Sequence, residues 1–199
     1  MDELQTYWLY GATAIVSLLF CWYSERTNKK RGLVAAAILL IFVSGFRAYS
    51  VGVDTSLYKT GIEYFFERGE VLWSSSFAYG YGVFTRFLLT LNKDYTFVLV
   101  AQAAITHGLI LARFWDLRKR CSLTFMLFAY ICTTYFYTFC IICQYVAVAL
   151  VFWGSRYADR GKILPYTIVI IFASCLHVSA LVALIDVAMR LVKLRGASP

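Results

Sequence analysis

Arg47 and Asp54 are the first residues in this chain whose types and spacing suggest chemistry. They sit in Gly45-Phe46-Arg47-Ala48-Tyr49-Ser50-Val51-Gly52-Val53-Asp54-Thr55-Ser56-Leu57-Tyr58, where an apolar run gives way to polar sequence. An arginine at such an edge offers planar, bidentate donors that suit phosphate. Asp54 follows a glycine-containing turn and could accept a proton or pair with Arg47. A plainer reading stays open, an arginine snorkelling to an interface beside a turn aspartate. A second group is Cys140-Ile141-Ile142-Cys143-Gln144. A glutamine among apolar residues needs partners and lies typically at a helix contact. The CxxC spacing permits redox chemistry, but it also sets two small residues on one helix face. The third group is Ser174-Cys175-Leu176-His177-Val178-Ser179-Ala180-Leu181. His177 is an ionisable side chain in an apolar run and suits acid–base work. A neutral histidine bonded to a neighbouring helix is the alternative. His107 has no polar company in its own run and reads as structural. The fourth group is the short segment 79–91 with Tyr79, Tyr81 and Arg86. Its aromatics suit sugar faces, or the belt of a membrane interface. No set of His and Cys completes a zinc site.

The elements that position these groups follow from composition. Of 199 residues, 61% are hydrophobic and only 15% charged, with a mean hydropathy of +0.68. Soluble domains carry about 25% charged residues, and a fold of this size could not hide so much apolar surface from water. A soluble enzyme, a nucleic-acid binder and a disulfide scaffold are excluded. The expected fold is an all-α, polytopic membrane bundle forming a single domain over 1–199, with about six transmembrane helices. The spans are expected at 7–23, 33–46, 95–112, two within the charge-free stretch 122–155, and one at 163–188. Segment 79–91 falls short of the roughly 20 residues a span needs and is expected to be an outer interfacial or re-entrant helix.

The net charge of +8 comes from short basic blocks at 26–31, 113–120 and 156–162. Such blocks face the cytoplasm. Both chain ends and the 47–94 region are therefore expected outside, although Arg190, Lys193 and Arg195 sit badly with an outer C-terminus. The acidic start, Met-Asp-Glu, lacks the basic region and cleavage site of a signal peptide, so the first run reads as a retained anchor.

In this order the motifs resemble the EpsG family of bacterial membrane proteins. The likeness rests on Phe46-Arg47, Val51-Gly52-Val53-Asp54 and Tyr58, then Gln144 with Ala147. It continues through Arg156-Tyr157, Arg160-Gly161-Lys162 and Leu176-His177-Val178-Ser179-Ala180-Leu181, from about residue 40 to 185. Cys143 stands where the family tends to carry arginine, and Ala78 and Tyr79 where an acidic residue often opens the outer helix. Members tend to be longer, so a short or truncated member is expected. The resemblance implies a Wzy-like polymerase of exopolysaccharide or O-antigen repeat units in the bacterial inner membrane. It implies undecaprenyl-pyrophosphate-linked oligosaccharide as substrate, with membrane lipid, a flippase and a chain-length regulator as partners, and no cofactor. Arg47, Asp54 and His177 would then be catalytic, and Tyr58, Gln144 and Arg86 would bind substrate. A catalytically defective binder of lipid-linked glycan is the alternative. A thiol–disulfide oxidoreductase using Cys140 and Cys143 is weaker, because residues 47–94 offer no relay cysteine.

Overall fold

The computed structural model describes residues 3–48, 50–52, 55, 56, 59, 60, 64 and 79–196. Among them the architecture is all-helical, with eight α-helices, two short 3₁₀ segments and no strand. Helix α1 (Glu3–Thr27) and helix α2 (Lys30–Gly45) form a hairpin. Tyr7, Trp8, Ile15, Leu19 and Trp22 of α1 point away from the fold, while Thr13, Ser17, Cys21 and Ser24 are buried. These small residues recur at helical spacing and let α2 approach closely. At Gly32 an added Cβ would stand 2.1 Å from the Phe20 carbonyl oxygen. Ser24 Oγ accepts from the Leu33 amide at 2.8 Å, and Asn28 makes the turn with φ of 50°.

Helix α3 (Tyr79–Leu91) has the bounds the sequence suggests. Its 13 residues reach about 20 Å, against the roughly 30 Å of a hydrocarbon core. Helix α4 (Tyr95–Leu117) is the central element and packs on α2, α3 and the two helices that follow it. It starts at Asp94, whose carboxylate accepts from the Thr96 amide at 2.9 Å. Helix α5 (Leu123–Thr133) is capped by Ser122 and also by Glu25 of α1, which accepts from the Leu123 and Thr124 amides at 3.2 and 3.0 Å. A carboxylate suits the exposed N–H groups of a helix start. The chain continues as a 3₁₀ segment (Tyr135–Phe139) and reverses at Cys140–Ile141 into helix α6 (Ile142–Ala158). The charge-free stretch therefore does form two helical legs joined by a tight turn.

Helix α7 (Ile163–Leu176) packs on α6, with Gly154 making room for Val169. Here the structure corrects the sequence reading. Segment 163–188 is not one continuous span. His177 is extended, at φ −154° and ψ 124°, and a 3₁₀ segment (Val178–Ala183) leads into helix α8 (Leu184–Gly196). Helix α8 runs back along α7: Val187 packs with Tyr166, Ile170 and Ala158, and Arg190 lies 3.4 Å from Asp159. The cause is local. His177 Nδ1 accepts from the Ser179 amide at 3.3 Å, which starts a new helical turn instead of continuing the old one. Asp186 and Arg190 then reach other charges, not hydrocarbon. Helix α8 thus ends at the Arg113–Asp159 end of the bundle, contrary to the expectation that both termini share the opposite end.

By length and composition, two helices are able to cross a membrane, Leu4–Thr27 and Tyr95–Leu117. Large apolar side chains also cover the outward faces of α5, α7 and α8, among them Phe125, Leu164, Ile168, Phe172, Ile185 and Val192. A surface of that kind suits an apolar solvent.

Candidate functional site

Arg47 stands two residues beyond α2 and is held by three neutral oxygens. Gly45 lies against Val100 of α4, which brings the end of α2 into the bundle. One guanidinium NH₂ group donates to the Ser44 carbonyl. The other donates to the Phe139 carbonyl at 3.2 Å and lies 3.4 Å from Thr55 Oγ1. The Phe139 ring centroid is 5.1 Å from the guanidinium carbon. Among the described residues no carboxylate pairs with Arg47, and its Nε–H, buried, has no acceptor. Burial pushes its pKa down from the ordinary arginine value. A half-buried cation with only neutral partners favours the approach of an anion.

Two cavities meet at this side chain. The first is a groove of about 470 Å³ between the start of α1 and the end of α2, lined by Thr6, Tyr10, Phe46, Arg47, Ser50 and Val51. The second is a small interior cavity bordered by Ser44, Arg47, Gln102, Thr106, His107 and Thr138. Sequence reasoning missed most of the second set. Gln102 donates to the Tyr81 hydroxyl at 2.8 Å, and His107 Nδ1 lies 2.7 Å from the Tyr130 hydroxyl. The signal was present in Gln102 and Thr106, which interrupt an apolar run four residues apart and so share one helix face, with His107 next to Thr106.

His177 lies at the same end of the bundle. Phe139 leads directly into α6, whose Val146 and Ala147 pack with Leu176 and Ala180. Among the described residues no hydrogen bond joins His177 to Arg47, and neither cavity at Arg47 is lined by His177. His177 is half-buried and bonds Ser179 Oγ at 2.7 Å. Helix α3 begins beside it, with Gly80 so close that a Cβ would stand 2.0 Å from the Cys175 carbonyl oxygen. An apolar groove of about 680 Å³ runs between α3, α4, α6 and α7, from Leu150 and Phe172 to Tyr79, Cys175 and Leu176. Gln144, in the first turn of α6, is half-buried, and its side chain makes no hydrogen bond among the described residues. Arg86 is exposed on α3. Cys140 and Cys143 straddle the turn into α6. Asp54 and Tyr58 lie outside the described residues.

The opposite end is a charge cluster. Arg113, buried on α4, pairs with Asp159 just past α6; Arg120 and Arg190 reach the same carboxylate at 3.7 and 3.4 Å. Arg156 pairs with Asp116 at 3.1 Å. These pairs tie helices together.

Compared with known proteins, the chain matches the model of the EpsG family over residues 30–196. No curated protein matches the chain, and no solved structure does.

Proposed function

The chain belongs to the EpsG family, a family of polysaccharide-polymerase-like membrane proteins, and on that premise we propose that it polymerises exopolysaccharide or O-antigen repeat units at the outer face of the bacterial inner membrane. The substrate is an undecaprenyl-pyrophosphate-linked oligosaccharide. In the transfer, the anomeric carbon of the growing glycan forms a bond to an acceptor hydroxyl oxygen, and its bond to the lipid pyrophosphate breaks. The hydroxyl proton goes to a base, and the electron pair leaves with the pyrophosphate.

The observation that carries this reading is Arg47. It is a cation without a carboxylate partner among the described residues, placed on the wall of a groove with room for a ligand. Such a group stabilises the charge that grows on a leaving pyrophosphate. His177 and Asp54 are the proposed bases, and Gln144, Tyr58 and Arg86 the proposed sugar contacts. The apolar groove beside His177 suits the prenyl chain of the carrier. In this reading α1, α2, α4, α5 with its 3₁₀ extension, and α6 cross the bilayer. Helix α3 dips in from outside, and the α7–α8 hairpin enters from the cytoplasm.

The defective-binder reading keeps one observation in its favour: with Cys143 beside Gln144, Arg47 is the one cation described in the Gly45–Ser56 and Cys140–Gln144 segments. One experiment separates the two. The chain is made the sole polymerase of a cell, and glycan length is read on gels. Arg47→Lys keeps the charge but loses the planar fork, so chains are expected to shorten sharply while protein level holds. Wild-type chain length in Arg47→Ala cells would remove the clamp. Absence of polymer with the unaltered chain would leave the binder.

A further inference from the structure

The small cavity behind Arg47 is walled by polar groups that the proposed reaction does not use. Ser44, Gln102, Thr106, His107 and Thr138 are each at most 5% exposed. His107 is fully buried, and its Nε2 has no protein partner. Arg47 borders the same cavity, and its buried Nε–H also lacks an acceptor. Two orphaned nitrogens on residues that wall one small void are costly unless something joins them, since each forfeits a hydrogen bond inside a low-dielectric interior. About 10 Å³ of the cavity is open to the centre of a water molecule. That is roughly the room one water needs, and the walls supply the polar partners a buried water requires.

The chemistry of the two nitrogens is complementary. Arg47 Nε–H is a donor in every state of the side chain. His107 Nδ1 is engaged with the Tyr130 hydroxyl, which sets the ring's orientation. With Nδ1–H donating to Tyr130, Nε2 is an acceptor. A water can then accept from Arg47 and donate to His107.

We infer that the cavity between α2, α4 and the α5–α6 turn is a binding site for one structural water that bridges Arg47 Nε and His107 Nε2. His107 and Tyr130 are thereby positioning residues for Arg47. They hold its guanidinium from behind, as the Ser44 and Phe139 carbonyls hold it from the side, so that its remaining N–H faces the groove. The role of Arg47 as a pyrophosphate clamp rests on the proposed function; the water site itself does not.

The test uses the full chain, purified in lipid nanodiscs. A density map fine enough to show ordered water is expected to place one between Arg47 and His107. A cavity without it overturns the inference. Binding of inorganic pyrophosphate is then compared across variants. Loss of one hydrogen bond at a charged group is worth about tenfold in affinity, so His107→Leu is expected to bind pyrophosphate about tenfold more weakly. His107→Gln retains an acceptor and is expected to restore binding to within about twofold. Leu and Gln binding equally would mean that His107 merely fills space, and would overturn the positioning role. Should His107→Leu fail to fold, Tyr130→Phe keeps the question open to decision, because it frees the ring without removing it. Wild-type affinity in Tyr130→Phe would then count against the proposal. Wild-type protein that binds no pyrophosphate while the map shows the water would sink the clamp and leave the water site standing.

Discussion

A base has to reach the proton it takes, directly or through one water, and His177 is the residue on which this demand falls hardest. Its Nδ1 is already committed to Ser179, leaving Nε2 as the group that would face a substrate. It also shares no described cavity with Arg47, so a substrate served by both has to bridge the α6 start between them. The two roles of His177 can be separated. His177→Gln can still accept a hydrogen bond from the Ser179 amide but cannot accept a proton at neutral pH. If His177 is the base, both His177→Gln and His177→Ala shorten the glycan at unchanged protein level. Wild-type chain length with Gln, and loss of protein with Ala, would identify a helix cap, whose removal costs about 1 kcal/mol. At this scale the sequence was informative where residue type and position agree. Arg47 stands at an apolar boundary, and its type alone suggests phosphate. His107 looked structural because its hydrogen-bond partner, Tyr130, lies on another helix. Periodicity within one run cannot reveal a partner that folding brings from elsewhere.

Among the elements, the end of the chain shows the same limit. The run from 163 to 188 is apolar enough for one span, and hydropathy carries no mark of the break at His177. The mark lay in polar spacing: Asp186 and Arg190 are four apart, and they bond each other at 3.0 Å on one face of α8. That face docks on Asp159, the carboxylate that collects Arg113, Arg120 and Arg190. Burial alone would raise the Asp159 pKa, but the hydrogen bond from Arg113 and the three positive charges outweigh it and hold it below the usual carboxylate range. The sign of the pH effect follows. A depressed folded value means stabilisation that is present above the ordinary carboxylate pKa of about 4 and lost as pH falls through the folded value. Asp159→Asn is expected to leave Arg113 buried without its counter-charge and to loosen α8 by about 1–3 kcal/mol. Hydrogen exchange of 184–196 in nanodiscs checks this. Protection should be flat from mild acid to neutrality in the wild type, fall below about pH 4, and be low at every pH in Asp159→Asn. Equal protection in both proteins would show that Val187 and its apolar neighbours hold α8 unaided.

Over the whole molecule, the return of α8 changes where charge accumulates. The blocks at 26–31, 113–120 and 156–162 fall at one end of the bundle, tied by Glu25 to α5 and by Asp159 to Arg113 and Arg120. Helix α8 brings Arg190, and with it the stretch holding Lys193 and Arg195, to that same end. The basic tail that conflicted with an outer C-terminus therefore joins the other basic blocks, and one rule of orientation accounts for all of them. Arg47, Phe139 and His177 occupy the opposite end, where an externally presented lipid-linked glycan would have to arrive. This yields a prediction about topology as a whole. In a cysteine-free background, single cysteines are placed by Gln5→Cys, Arg118→Cys and Ser198→Cys, and intact cells are treated with a membrane-impermeant maleimide. Gln5→Cys is expected to label at once, whereas Arg118→Cys and Ser198→Cys label only after the membrane is opened. Labelling of Ser198→Cys alongside Gln5→Cys in intact cells would mean that 163–188 crosses the bilayer after all and that the α7–α8 hairpin does not form there. Labelling of Arg118→Cys in intact cells would be worse for the reading, because it would put Arg47 on the cytoplasmic side, away from any glycan assembled outside.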